Sequence, residues 1–199
     1  MKAWSIQSTE AFATLNHDGV LYCDSPRTAL YLDEADDGIF NRSYAWMTGQ
    51  MEKRMRVPRP ELARYPLWAW VQVGSYRKEF HPSSDEYEHG KSVLLTLDVP
   101  DDEILLSDFD IWHCVLNEFS TGTDRMMERR LNRFLDENGV HTKLKDYPPQ
   151  FREYVVSSWE RVFDLDRRDR AFPDMRRNRK IQGTMWQIRS EWVRGYRLL

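Results

Sequence analysis

Cysteine is nearly missing from this chain. Two thiols in 199 residues, Cys23 and Cys114, cannot build a disulfide framework and fit a reducing compartment. Long apolar runs are missing too: no stretch approaches the roughly 20 residues needed to span a bilayer. The opening Met1-Lys2-Ala3-Trp4-Ser5-Ile6-Gln7 lacks the apolar core of a signal peptide. The expectation is a cytoplasmic protein with no membrane partner. Excess positive charge is absent as well; the net charge of −3 gives no overall basic field to attract nucleic acid. There is no glycine-rich phosphate loop, dinucleotide fingerprint, HExxH, paired CxxC or nucleophile elbow, which removes several large enzyme classes from the first rank. No repeat, low-complexity segment or long linker divides the chain, so residues 1–199 read as a single domain.

What the chain does have is indole. Eight tryptophans, Trp4, Trp46, Trp68, Trp70, Trp112, Trp159, Trp186 and Trp192, supply large flat surfaces, each with one N–H that wants a partner when buried. A thick aromatic core or an aromatic-lined cleft follows. Charge is uneven. Residues 150–199 hold 12 Lys and Arg against 7 Asp and Glu, with the basic excess concentrated between Asp164 and Lys180. That segment is either a solvated loop of mixed charge or a phosphate-attracting rim.

Periodicity sketches the elements. A strand over Trp4–Gln7 is followed by a helix from Thr9 to His17, capped by Ser8 and stopped by Gly19, with Phe12 and Leu15 inward. Val20–Cys23 is extended. An acidic turn through Asp33, Glu34, Asp36 and Asp37 leads to an amphipathic helix whose stripe is Phe40, Tyr44, Met47, Met51 and Met55, ended by Pro58 and Pro60. Leu67–Val73 is the clearest strand and should be central; Leu67, Ala69, Val71 and Val73 point one way, and Trp68, Trp70 and Gln72 the other. Val93–Val99 and Ile104–Leu106 are further strands. A helix from Ser107 buries Phe109, Trp112, Leu116 and Phe119. Helices over Asp124–Asn138 and Phe151–Phe163 follow, and strands over Ile181–Arg189 and Trp192–Leu198 close the chain. This order predicts an α+β fold: a central twisted, mostly antiparallel sheet with flanking helices.

Several constellations can carry chemistry. Ser107-Asp108-Phe109-Asp110-Ile111-Trp112-His113 combines carboxylates with an imidazole, the groups of acid–base or metal chemistry. The same run also reads as a capping box, Ser107 answering Asp110, at a helix N-terminus. Cys114 beside His113 points elsewhere on the helix, so a Cys–His nucleophile is not implied, and both thiols are expected buried and inert. His81 and His89 bracket Asp85, Glu86 and Glu88 in a spacing that matches no compact metal site. Trp68, Trp70 and Gln72, with Trp4 and Gln7 nearby, can wall a cleft for a planar ligand or pack under a helix. Gln182 and Thr184 alternate on one strand just after the arginines, as a pocket edge or as a solvent-facing edge strand.

At these residues a resemblance appears. The opening W-x-I-Q, the Tyr44-Ala45-Trp46-Met47 and Gln50-Met51-Glu52-Lys53-Arg54 helix, Pro66-Leu67-Trp68-Ala69-Trp70, the Leu106–Asn117 run, Trp159–Leu165 and Ile181–Trp186 together resemble one bacterial family. It is known only as domain of unknown function number thirty-eight forty-one, and the likeness covers nearly the whole chain. A second likeness is to the compact ADP-ribosyltransferase fold of small bacterial toxins and RNA phosphotransferases. Those proteins open with a strand, a helix and a Gly-Val/Leu-Leu turn, as in Ile6–Leu21, and finish on a strand carrying a key polar residue near Gln182. That resemblance implies an NAD-using enzyme of toxin or phage-defence type. In it Trp4, Gln7, Trp68, Trp70, Gln72 and Thr184 line the cofactor cleft, Gln182 holds ribose, and Arg176, Arg177 or Arg179 meets phosphate or a protein or nucleic-acid target. Such enzymes usually carry glutamate where Gln182 stands, and no Ser-Thr-Ser strand is present. Two other readings remain: a non-catalytic module recognising a nucleotide, RNA or protein, and a hydrolase or nuclease using Asp108, Asp110 and His113.

Overall fold

The computed structural model describes residues 1–23, 39–73, 80–84, 87–122, 124–139, 142–166 and 179–199. The expected acidic turn at 33–37, Asp85, Glu86, Arg176 and Arg177 lie outside these residues.

The chain opens with β1 (Lys2–Ser8), whose last residue caps α1 (Thr9–Asp18): the Ser8 hydroxyl accepts from the Ala11 N–H. Gly19 ends α1 in the left-handed region at φ 76°, where its N–H reaches back to the Leu15 carbonyl. Then come β2 (Val20–Tyr22), α2 (Ile39–Arg54), β3 (Leu67–Val73), β4 (Ser92–Asp98) and β5 (Leu105–Asp108). The helices α3 (Phe109–Leu116), α4 (Arg125–Asn138) and α5 (Pro149–Ser158) follow, and β6 (Lys180–Met185), β7 (Gln187–Arg189) and β8 (Val193–Leu198) finish the fold.

Six strands form one antiparallel sheet in the order β5-β6-β3-β1-β4-β8, and β2 pairs with β7 in a separate two-stranded ribbon. The α+β expectation holds, and β3 is interior as its apolar faces require. Strand alternation divides the core. Ala3, Leu67, Ala69, Leu95, Leu97 and Met185 face Leu15 of α1 and Leu21 and Ile188 of the ribbon. The other side meets the helices, where Met47, Trp112, Val115, Leu131, Val155 and Trp159 form a second core that Trp68 joins. Each fully buried aliphatic chain of this kind stabilises the fold by about 1.5–3 kcal/mol. Among the described residues no helix is long and apolar enough to cross a membrane.

Four expectations need correction. The strand read over Ile181–Arg189 is two strands in different sheets, because the chain bends at the fully buried Trp186. The helix read over Phe151–Phe163 stops at Ser158 and tightens to a 3-10 turn over Trp159–Phe163. Phe119, expected inside, is 60% exposed, since α3 ends at Leu116 and Val115 takes the inward place beside Trp112. Both thiols, expected buried, are half-buried; Cys114 Sγ points back to the Asp110 carbonyl at 3.8 Å.

Candidate functional site

In an antiparallel sheet, directly opposed residues carry their side chains on the same face, with Cβ atoms about 4.5–5.5 Å apart. Register therefore builds a row across four strands. Trp4 of β1 lies opposite Trp70 of β3, Trp70 opposite Gln182 of β6, and Gln182 opposite Ser107 of β5. A parallel row on the same face runs Trp68, Thr184, Leu105.

The first row is rich in rings and short of hydrogen bonds. Trp70 has Phe109 at 4.7 Å and Phe80 at 5.6 Å, and Phe80 also meets Trp4 at 6.2 Å. Beside these rings, the Ser107 hydroxyl and the Gln182 side-chain carbonyl are both buried with no hydrogen-bond partner among the described residues. An unsatisfied buried polar group costs about 1–3 kcal/mol, so two on adjacent opposed residues ask for a third group. That group must bring an N–H or O–H to Gln182 Oε1, which can only accept. Positive charge stands close by: Lys180 Nζ lies 5.2 Å over the Phe109 ring, and Arg179 Nε is 3.9 Å from Asp108 Oδ2.

The remaining expected residues distribute differently. Gln7 is on the opposite face from Trp4, because one residue of alternation separates Trp4 from Ser5; its Nε2 donates to Ser5 Oγ, which donates to the Trp68 carbonyl, both at 2.7 Å. Gln72 also leaves the tryptophan face. An irregularity in register between Trp70 and Gln72 brings Gln72 opposite Ile181 and turns Val73 onto the aromatic side with Trp70. Trp68 packs between protein rings, Trp112 at 5.0 Å and Tyr44 at 6.1 Å. Burial there pushes the Tyr44 hydroxyl up to about 12; the Cys23 thiol nearby adds to the rise, and the Trp68 N–H offsets part of it while missing good hydrogen-bond geometry. Thr184 is fully buried on an interior strand, not an edge, and donates to the Leu105 carbonyl at 3.3 Å.

On α3 the cap is Asp108, not Ser107: Asp108 Oδ1 accepts from the Asp110 and Ile111 N–H groups. Asp110 and His113 are exposed, and His113 Nδ1 sits 2.9 Å from the Phe109 carbonyl with its ring 4.2 Å from the Phe109 ring. No group of three or more His, Cys, Asp or Glu side chains able to hold a metal occurs among the described residues. His81 and His89 are exposed. Arg177 cannot be added to the row, as it lies outside the described residues. A separate shallow hollow of about 490 Å³ between α2 and α5 is lined by Trp46, Arg152, Val156 and Glu160 and includes none of the expected residues. Its Glu160 is already engaged by Gln50 and Arg54.

Sequence reading missed Phe109 and Phe80 as neighbours of Trp70 and Ser107 as the neighbour of Gln182. Ser107 carried a usable signal, since it alternates with Leu105 just as Gln182 alternates with Thr184. Phe80 carried none, because only the tertiary fold brings it to Trp4 and Trp70.

Comparison with known proteins gives one match: a family model described as Domain of unknown function (DUF3841) aligns with residues 2–194. No curated protein and no solved structure matches the chain.

Proposed function

The chain belongs to the DUF3841 family, whose description names no activity, and from that premise we propose that it is an NAD-binding protein of ADP-ribosyltransferase type. The observation that carries this reading is the pair of buried polar atoms, Gln182 Oε1 and Ser107 Oγ, side by side in the tryptophan row and without a partner among the described residues. A ribose hydroxyl or a carboxamide N–H is the donor that Gln182 Oε1 lacks, and Ser107 Oγ can accept a second one or return a proton to the ligand's carbonyl. Trp70, half-buried among Phe80 and Phe109, offers an aromatic flank to a planar ring. When bound, NAD supplies the ADP-ribosyl group, with nicotinamide as the group that leaves. The protein's part is to hold ribose in place and shield it from water. Gln182 is neutral, so it orients a hydroxyl but stabilises developing positive charge on the sugar far less than a carboxylate would.

That neutrality favours a second reading, a recognition module that binds the nucleotide without turning it over. One experiment separates the two. NAD raises the melting temperature of the chain under both readings, and nicotinamide is released only under the first. Gln182→Ala removes a hydrogen bond of about 0.5–1.5 kcal/mol and so weakens NAD binding roughly 2- to 10-fold. Absence of any thermal shift with NAD, or a shift unchanged in Gln182→Ala and Ser107→Ala, defeats the site assignment.

A further inference from the structure

Helix α4 (Arg125–Asn138) keeps its apolar side on the protein and turns arginine outward. Leu131 is buried, and Met127, Phe134 and Leu135 pack into the core that holds Phe151 and Val155. On the far side Arg125, Arg129 and Arg133 recur at four-residue steps, about 6 Å apart along the axis. Arg130 stands on the neighbouring line with Met126. All four arginines are exposed, and none makes an ion pair or side-chain hydrogen bond among the described residues. The nearby acids are turned to other work. Asp124 Oδ1 caps the helix at the Met126 and Met127 N–H groups, and Glu128 Oε1 accepts from the Ser120 hydroxyl and, at 2.6 Å, from that of Tyr154. Asp136 and Glu137 fall in the last turn and leave Arg133 unpaired. Like charges four residues apart destabilise a helix, and the positive end of its dipole disfavours Arg125. Anions lying along this face relieve both costs.

Two large apolar side chains stand exposed beside the arginines. Met126 is 65% exposed on the helix itself, and Phe119 is 60% exposed at its N-terminal end, next to the Ser120 that reaches Glu128. We propose that the outward face of α4, with Phe119 at its head, binds single-stranded nucleic acid. Its arginines meet successive phosphates of one strand, whose spacing a step of about 6 Å follows, and the Phe119 ring stacks on a base. A duplex keeps its base faces covered and leaves that ring without a partner. An acidic peptide satisfies the charge but not the ring. A membrane-surface helix needs a free apolar side opposite its cationic one, and on α4 that side is already packed inside. The chain's net charge of −3 does not oppose the contact, because salt confines each charge's field to about 10 Å.

Fluorescence anisotropy with labelled oligouridylate and oligothymidylate, in the absence of NAD, is expected to show binding by the full chain. For four phosphate contacts log K falls by about 3 per decade of salt. Arg129→Gln combined with Arg133→Gln is expected to lessen that slope by about 1.4 and to weaken binding roughly 10-fold or more at low salt. Its melting temperature is expected to be no lower than the parent's. Phe119→Ala is expected to weaken binding roughly 5-fold or more with the slope unchanged. Equal binding of the two strands supports contacts to phosphate and base face alone, and tighter binding of oligouridylate adds a contact to the ribose hydroxyl. The proposal is overturned by failure to bind either strand at low salt, or by an affinity unchanged in either variant. A duplex, poly-glutamate or phosphatidylserine vesicles bound as tightly as the single strands overturn it too.

Discussion

At the scale of single residues, the tightest constraint beside the candidate site is Gly183. It lies opposite Ala69 on one side and Leu106 on the other, and a Cβ added there would stand 2.3 Å from Ile104 Cδ1 and 2.5 Å from Cγ1. The second of those atoms is near the branch of a stiff side chain, so Ile104 cannot simply swing aside. Gly183→Ala is therefore expected to destabilise the protein by about 1–3 kcal/mol, the usual cost of overpacking. Urea unfolding checks it, and a midpoint within error of the parent would show that Ile104 yields freely. Because Gly183 adjoins Gln182, the same variant is expected to weaken the thermal shift with NAD. Gln182 itself was visible in the sequence as an unexpectedly polar residue on an apolar strand. Gly183 was not, because its neighbour Ile104 is far away along the chain and only the β5–β6 pairing brings them together.

Among the elements, α3 shows how pairing overrides a local signal. Ser107 three residues before Asp110 is a sound capping box on paper, yet β5 continues through Asp108, which lies opposite Ile181. The ladder with β6 claims Ser107 for the strand, and the cap passes to Asp108 with bonds of 3.0 and 3.1 Å. Asp108→Ala is expected to lose about 1 kcal/mol, within the 0.5–2 range for such caps. Asp108→Asn keeps an oxygen in place and is expected to cost clearly less. Equal losses in the two variants, measured by chemical denaturation, would move the stabilising role from the cap to the charge beside Arg179. The register irregularity in β3 has the same lesson. Strict alternation assigned Gln72 to the tryptophan face, and one extra residue in the ladder moved it across. A slip of one position flips every later side chain, and nothing local in Leu67–Val73 marks where it occurs.

At the scale of the whole molecule, the sheet separates a mainly aliphatic core under α1 and the ribbon from an aromatic-rich core under α2–α5. Tyr44 sits inside the latter, and its hydroxyl titrates at about 12 rather than 10 because burial disfavours the phenolate. The folded state thus holds this proton more tightly than the unfolded one. The contribution is complete below pH 10 and is lost as pH rises from 10 towards 12. Two pKa units correspond to about 3 kcal/mol at full ionisation. Tyr44→Phe is expected to remove that part of the alkaline loss, so its stability profile should be flatter over this range. An alkaline limb as steep as in the parent would mean that Tyr44 is freely solvated at high pH.

What the amino-acid order determined by itself was the set of elements and their class. Periodicity, caps and the Gly19 stop are local, and they read out helices, strands and an α+β arrangement without any knowledge of contacts. The tertiary structure alone decided which faces meet. It set Trp70, Gln182 and Ser107 in one row, sent Gln7 and Gln72 to the other side, and bent the last strands into two sheets at Trp186. Those outcomes depend on register and on contacts between residues distant in sequence, where one residue more or less reverses a side chain and no local pattern records the choice.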